Sequence, residues 1–143
     1  MAQLEQIVLA STSPWRLRML LKAGIEAEAV APEVDESAYM ADEPGELAAL
    51  LARTKAEAVL VKRPSAVVIG ADQVAQMDGE IFGKPANADD HFRRLQSLRG
   101  RCHELITAVA ILFQEEAICF EVRTKIHFRS DLSDEELRRY VKS

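Results

Sequence analysis

Hydroxyl and guanidinium side chains cluster where an apolar run meets a helix signal near the start of the chain. Ser11 and Ser13 follow the apolar run 7–10, and Arg16 comes three residues after Ser13. Ser13 can cap a helix that has Pro14 at its first position, where no backbone donor is needed. Helix-start amides, hydroxyls and a guanidinium together bind phosphate well. The segment therefore indicates a phosphate site, although an ordinary strand–turn–helix junction uses the same capping residues.

Five charged side chains further along the chain are suited to phosphate or metal chemistry. Asp72 follows an apolar strand signal, where α/β folds place ligand-binding residues; a turn aspartate bonded to its own backbone is the alternative. Lys55 lies on a half-buried helical stripe, and Lys84 lies between a glycine and a proline, but lysines commonly extend into solvent. Asp35 and Glu36 offer hard oxygen ligands for Mg²⁺ or Mn²⁺, unless they are simply solvated. Only the combination of these residues points to a site.

Composition and length fit one domain spanning residues 1–143. The chain is 48% hydrophobic, which is enough to build a core, and has a net charge of −5 with no basic run that would bind nucleic acid. Cys102 and Cys119 are too few for a disulfide framework or a zinc site. No run reaches membrane-spanning length, and no signal-peptide pattern opens the sequence. We therefore expect a cytoplasmic protein that binds neither nucleic acid nor membrane.

Strand and helix signals alternate along the chain and predict an α/β protein with a mixed sheet. Asp78-Gly79 predicts a hairpin turn. The strands are expected at 7–10, 27–31, 66–69, 104–113 and 117–128, and the helices at 14–23, 44–62, 88–98 and after the Ser133/Glu136 capping box. The apolar stripe of helix 44–62 is expected at Leu47, Leu50, Leu51, Thr54 and Ala58.

Six short motifs follow one another along the chain: Leu9-Ala10-Ser11-x-Ser13-Pro14-x-Arg16, Asp35-Glu36, Arg53-x-Lys55-Ala56, Ile69-Gly70-Ala71-Asp72, Gly79-x-x-x-Gly83-Lys84-Pro85 and Leu98-x-Gly100-x-x-His103. Together they resemble the Maf family, whose members hydrolyse nucleoside triphosphates to the monophosphate and pyrophosphate. The resemblance implies a Maf/ITPase-like mixed sheet flanked by helices and a divalent cation, Mg²⁺ or Mn²⁺, as cofactor. It also implies a small-molecule nucleotide as partner, with a homodimer as one option.

The resemblance also implies roles for single residues. Asp72 matches the family's proton acceptor, which activates water for attack between the α- and β-phosphates. Glu36, together with Asp72, matches the residues that hold the divalent cation. The positions that match the family's phosphate-binding residues are Ser11, Ser13, Arg16, Lys55 and Lys84.

Two further positions bear on the choice of base. Trp15 stands where many family members have arginine, and Gln73 where many have threonine, which resembles the branch that acts on 7-methyl-GTP. An indole stacks well on a cation such as N7-methylated guanine, and a glutamine amide can bond a base edge. We expect 7-methyl-GTP as substrate, with dTTP or UTP, or nucleotide binding without turnover, as alternatives. Trp15 could instead be an ordinary core residue.

The end of the chain departs from the family pattern. Family members continue with further strand and helix, including an acidic residue that helps to select the base. The last helix signal here, by contrast, runs to Ser143 without a stop signal. We therefore expect a C-terminally truncated fragment whose sheet has an unpaired edge.

Overall fold

The computed structural model describes residues 6–83 and 85–143, which form a mixed sheet flanked by helices. A 3₁₀ turn, Glu36–Ala38, lies ahead of the longest of the described helices. In chain order the elements are β1 (Ile7–Ala10), α1 (Pro14–Lys22), β2 (Glu28–Val30), α2 (Pro44–Lys62), β3 (Val67–Met77), β4 (Glu80–Phe82), α3 (Ala88–Leu98), β5 (Cys102–Phe113), β6 (Glu116–His127) and α4 (Asp134–Lys142). The predicted α/β class and mixed sheet are confirmed.

Local capping chemistry determines where three of the helices begin. The Ser13 hydroxyl accepts from the Arg16 amide at 3.4 Å, and the Asn87 side chain accepts from the amide three residues later at 2.8 Å. Ser133 caps α4 in the same way, at 3.1 Å from the Glu136 amide. Each cap satisfies an amide that has no partner within its own helix. The predicted helix starts at Pro14, Ala88 and the residue after Ser133 are therefore confirmed.

The sheet changes from parallel to antiparallel pairing at β3. Its strand order is β2-β1-β3-β5-β6, in which β1 runs parallel to β2 and β3, while β5 runs antiparallel to β3 and β6. β4 is an antiparallel partner of the far end of β3, joined through the turn Asp78-Gly79. Both turn residues have positive φ, 54° and 82°, as a two-residue hairpin of this kind requires. The hairpin prediction is confirmed.

β3 is longer than the sequence predicts, and this changes the position of Asp72. The strand was expected to end at Ile69, but it continues to Met77 because β5 pairs with it from Val68 to Gln76. On the other side, β1 pairs with β3 only as far as Gly70. Asp72 therefore lies within a strand, just past the point where β1 ends, and not in a turn after the strand.

The face of α2 that packs on the sheet differs from the predicted stripe. Of the predicted residues, only Leu51 is buried, and Leu50 is exposed. Most of the residues on the packed face are small, which allows the helix to lie close to the strands. The buried residues of α2 are Gly45, Ala48, Leu51, Ala52, Lys55, Ala56 and Val59.

α2 lies tightly against the sheet at Gly70. A Cβ atom there would clash with the Ala52 carbonyl oxygen and would lie 2.9 Å from the Ala56 Cβ. Both contacts are too short for any side chain, so α2 can occupy its position only if residue 70 is glycine. Because Lys55 is adjacent to Ala56, the same contact determines how far the lysine lies from β3.

β6 forms the edge of the sheet opposite to β2. Within residues 6–83 and 85–143, no further strand pairs with its outer side, and Ile118, Phe120 and Val122 are exposed. None of the described helices is long and apolar enough to span a membrane.

Replacing Gly70 with alanine should destabilise the protein by forcing α2 away from β3. We expect Gly70→Ala to lower the free energy of unfolding by about 1–3 kcal/mol, the usual effect of overpacking a core. Gly83→Ala is the matched control, because a Cβ at Gly83 would meet nothing within 4 Å. Urea unfolding of both variants measures the difference, and equal stabilities would contradict a tight helix–sheet contact.

Candidate active site

A cleft of about 980 Å³ opens beside β3 at the end of β1. Its volume is at the upper end of the range for small-molecule sites. Lys84 lies outside the described residues, so its predicted place in the site stays a prediction. The other predicted site residues all line this cleft: Ser11, Ser13, Trp15, Arg16, Glu36, Lys55, Asp72 and Gln73.

The first wall of the cleft is the turn between β1 and α1. The buried Ser11 hydroxyl accepts from the Ser13 amide at 3.0 Å and from Arg16 Nη1 at 3.5 Å. Arg16 Nη1 also donates to the Ala71 carbonyl oxygen at 3.3 Å, which holds the guanidinium against β3 immediately before Asp72. A fixed guanidinium at a helix N-terminus makes this wall electropositive.

Another part of the cleft lining contains a buried ammonium between two carboxylates. Lys55 and Asp72 are only 9% and 8% exposed, and Lys55 Nζ lies 2.9 Å from Asp72 Oδ1. Glu36 Oε1 lies 2.5 Å from the same nitrogen, and this carboxylate is about half exposed. The tendency of lysines to extend into solvent is overcome here, because two acidic partners compensate for burial of the ammonium.

Burial and pairing change the pKa values of Lys55 and Asp72. Burial raises the pKa of Asp72 above its usual range, although the hydrogen bond and positive charge of Lys55 act in the opposite direction. For Lys55, burial opposes the charged form, but hydrogen bonds to Glu36 and Asp72 outweigh it and raise its pKa. The lysine therefore remains an ammonium at neutral pH. A carboxylate with a raised pKa is a stronger proton acceptor than an ordinary aspartate.

The adjacent acidic residues Asp35 and Glu36 have different roles. Asp35 caps the 3₁₀ turn, because its Oδ1 accepts from the Ser37 amide at 3.1 Å and from the Ser37 hydroxyl at 2.6 Å. It does not line the cleft, whereas Glu36 does. Of the two, Glu36 is the one that shares the Lys55 ammonium with Asp72, and a joint role of Asp35 and Glu36 as metal ligands stays a prediction.

The carboxylates of Glu36 and Asp72 converge on one point, which is the Lys55 ammonium. Mg²⁺ in phosphate-handling sites commonly takes one or two carboxylates and completes its shell with water and substrate phosphates. Among the described residues, no group of three or more His, Cys, Asp or Glu side chains is arranged to hold a metal ion. The donor set therefore fits a cation that is shared between the protein and a polyphosphate.

Trp15 is a surface residue at the mouth of the cleft. Its side chain is 70% exposed, so the alternative interpretation of a core tryptophan is wrong. The guanidinium carbon of Arg18, one turn along α1, lies 5.1 Å from the indole centroid. This is within the range of a cation–π contact. The indole is thus available to a ligand, but with a cation already near its ring.

Gln73 is linked to a residue that the sequence analysis missed. Its Nε2 donates to Thr107 Oγ1 at 2.8 Å, and Thr107 also lines the cleft. The two residues lie directly opposite each other in the β3–β5 pair. The sequence offers little indication of this role, because Thr107 is a single hydroxyl within a strongly apolar strand.

The family model for Maf-like proteins matches residues 6–143 of this chain. The chain belongs to the Maf family. It is 41% identical over 140 residues to a protein from Symbiobacterium thermophilum named "dTTP/UTP pyrophosphatase", covering 98% of this chain and 72% of the relative. It is also 41% identical over 140 residues to a protein from Albidiferax ferrireducens named "7-methyl-GTP pyrophosphatase", covering 96% of this chain and 70% of the relative.

Solved structures support the predicted architecture of this Maf chain. The Staphylococcus aureus Ham1 protein superposes with a TM-score of 0.60 over 88% of this chain and 73% of its own, at 16% identity. At that identity the likeness concerns the fold alone. The family resemblance and the mixed α/β fold expected from the motifs are both confirmed. Because relatives with two different substrate names are equally similar, sequence identity does not separate their substrates.

Removing Lys55 from this Maf chain should destabilise the fold, because Asp72 would stay buried without its positively charged partner. We expect Lys55→Met to lower the free energy of unfolding by about 3–5 kcal/mol at pH 7, because it leaves a buried carboxylate without a cation. Asp72→Asn is the matched comparison and should destabilise less, since Lys55 retains Glu36.

The Lys55–Asp72 pair also predicts how the stability of the Lys55→Met variant depends on pH. In Lys55→Met, the pKa of Asp72 in the folded state lies above its value in the unfolded chain. As the pH falls, Asp72 is therefore protonated in the folded variant at a higher pH than in its unfolded chain. The loss of unfolding free energy in Lys55→Met relative to wild type should shrink as the pH falls from 7 to 5. Urea unfolding at both pH values measures this change. A deficit that is the same at both would show that Asp72 is not the uncompensated charge.

Proposed function

We propose that this Maf chain hydrolyses nucleoside triphosphates to the monophosphate and pyrophosphate, with 7-methyl-GTP as its preferred substrate. The observation that carries the proposal is the buried Lys55–Asp72 pair, which lines the same cleft as the Arg16 guanidinium. A proton acceptor and a fixed phosphate-binding cation are the two groups that attack on a phosphoric anhydride requires. The names of the relatives in the Maf family describe the same type of reaction.

In the proposed mechanism, Asp72 accepts a proton from the attacking water. Lys55 binds Oδ1 of this carboxylate, and we assign Oδ2 to the water. The water oxygen forms a bond to the α-phosphorus, and the bond from that phosphorus to the bridging oxygen breaks. The bridging oxygen leaves as part of pyrophosphate. The raised pKa of Asp72 favours the proton transfer.

The hydroxyl and guanidinium wall would hold the phosphates. Ser11, Ser13 and Lys84 are assigned as donors to phosphate oxygens, and Arg16 neutralises charge on the leaving pyrophosphate. Arg16 is already held by the Ala71 carbonyl oxygen, so little reorganisation is needed when the substrate binds. Lys55 has three N–H donors and uses two on carboxylates, which leaves one for a phosphate oxygen.

Glu36 and Asp72 would hold a divalent cation together with phosphate oxygens of the substrate. Mg²⁺ or Mn²⁺ in this position supplies charge neutralisation to the polyphosphate. Lys55 keeps the two carboxylates close together despite their mutual repulsion. Lys55 is therefore important both for the proposed site and for the stability of the fold.

The assignment of 7-methyl-GTP rests on Trp15 and Gln73 at the cleft. An exposed indole is a good partner for the positively charged methylated base. The second candidate is dTTP or UTP, and it is favoured by Arg18, because a cation 5.1 Å from the indole centroid repels a cationic base. Pyrophosphate release from 7-methyl-GTP, GTP, dTTP and UTP, with Mg²⁺ or Mn²⁺, decides between them. Binding without release of pyrophosphate would instead identify a nucleotide-binding module.

Asp72→Asn tests the proton acceptor. The amide keeps the shape of the side chain but cannot take the proton, so turnover should fall by about two to four orders of magnitude. Nucleotide binding, measured by calorimetry, should persist. Turnover that is unchanged would remove Asp72 from the mechanism.

Trp15→Ala tests how the base is recognised. Loss of cation–π stacking should weaken the binding of 7-methyl-GTP by about 0.5–2 kcal/mol, or roughly 2- to 30-fold, and should affect the binding of GTP much less. Because Trp15 is exposed, the free energy of unfolding should change by no more than about 0.5 kcal/mol. The ratio of kcat/KM for the two nucleotides is the measurement.

Arg18→Gln is the companion variant for this test. Removing the cation beside the indole should raise the preference for 7-methyl-GTP over GTP, in the direction opposite to Trp15→Ala. If both variants leave the ratio where it is in wild type, then Trp15 does not contact the base.

A further inference from the structure

We propose that Thr107 is a positioning residue that selects the base by fixing the orientation of the Gln73 amide. Held in this way, the amide presents its carbonyl oxygen to the substrate and favours bases that carry an imino N–H. The inference rests on the proposed function, since it concerns which nucleotides that cleft accepts.

The geometry of the β3–β5 pair supports this role. Gln73 and Thr107 are directly cross-strand, so their side chains emerge on the same face of the sheet. Gln73 Nε2 donates to Thr107 Oγ1 at 2.8 Å, and both residues line the cleft. The oxygen and nitrogen of an amide leave the same carbon in different directions. With the nitrogen held by Thr107, the oxygen Oε1 is directed away from it.

An amide oxygen held in one orientation distinguishes bases by a single proton. Guanine and hypoxanthine carry a hydrogen on N1, and uracil and thymine carry one on N3. Adenine N1 and cytosine N3 instead have a lone pair at the equivalent positions. An acceptor that meets an imino N–H forms a hydrogen bond, whereas an acceptor that meets a lone pair leaves both groups unsatisfied.

This selection is compatible with each of the substrates considered for this chain. Methylation at N7 leaves the N1 hydrogen of guanine in place, so 7-methyl-GTP, dTTP and UTP all present an imino N–H. One amide orientation can therefore serve both kinds of substrate, and the side chain at position 15 can then separate large cationic bases from small neutral ones.

The opposite amide orientation makes the opposite prediction. If the Thr107 hydroxyl donated to Oε1, the amide nitrogen would face the base and would favour adenine and cytosine. Two nucleotide pairs, in which donor and acceptor are exchanged at this position and at the adjacent exocyclic group, separate the two cases: UTP against CTP, and inosine triphosphate against ATP.

The experiment measures kcat/KM for both pairs in wild type and in three variants. Wild type should prefer UTP over CTP, and inosine triphosphate over ATP, by about tenfold, as expected for one hydrogen bond at a partly exposed site. Thr107→Val keeps the side-chain shape but cannot hold the amide, so both ratios should fall to within about threefold of one. Thr107→Ser retains the hydroxyl and should keep the ratios.

Thr124→Val is the control for the substitution itself, because Thr124 lies on β6 and does not line the cleft. Its ratios should equal those of wild type. Three outcomes would overturn the inference and leave the proposed hydrolysis intact. They are ratios near one in wild type, a wild-type preference for CTP and ATP, and a Thr107→Val variant that discriminates as wild type does.

Failure of the proposed function gives a different result. In that case no triphosphate in the panel releases pyrophosphate. The dissociation constants of UTP and CTP, measured by calorimetry in the presence of EDTA, then test the inference directly. A tenfold preference for UTP that is lost in Thr107→Val supports it, and equal affinities or no binding refute it.

Discussion

The rest of the structure depends on the buried contact between Lys55 and Asp72. A lysine and an aspartate that are each less than one-tenth exposed must be paired, because either charge alone would destabilise the fold. They meet only because α2 lies directly on β3 at Gly70, where a Cβ atom would clash with Ala52 and Ala56. Helix packing thus determines the geometry of the proposed chemistry, and the ion pair in turn ties α2 to the sheet.

The second constraint is the unequal length of β1 and β3. β1 ends opposite Gly70, while β3 continues as far as Met77 with β5 at its side. This leaves room beside Asp72 for the turn before α1, which brings Arg16 within 3.3 Å of the Ala71 carbonyl oxygen. A carboxylate in the middle of a strand can therefore reach a ligand, and the rigid strand holds it more precisely than a loop would.

The sequence predicts those features that depend on neighbouring residues and misses those that depend on distant ones. The starts of α1, α3 and α4 follow from caps within three residues, so they could be predicted. The extension of β3 depends on pairing with β5, about 35 residues later, and the strand's own polar residues gave no sign of it. The position of Thr107 opposite Gln73 depends on the same register. In contrast, the exposure of Trp15 follows from how α1 packs, which local sequence does not determine.

The two halves of the cleft are built in different ways, and this has a consequence for substrate choice. The proposed phosphate half depends on a helix start and a buried ion pair, both tied to the fold itself. The proposed base half depends on Trp15, Gln73 and Thr107, whose side chains are partly or largely exposed. If these three residues contact the base as proposed, substitutions there would change which base is accepted without disturbing the Lys55–Asp72 contact. Maf relatives named for different nucleotides can therefore be equally similar to this chain, because the residues that would separate them are few and lie outside its core.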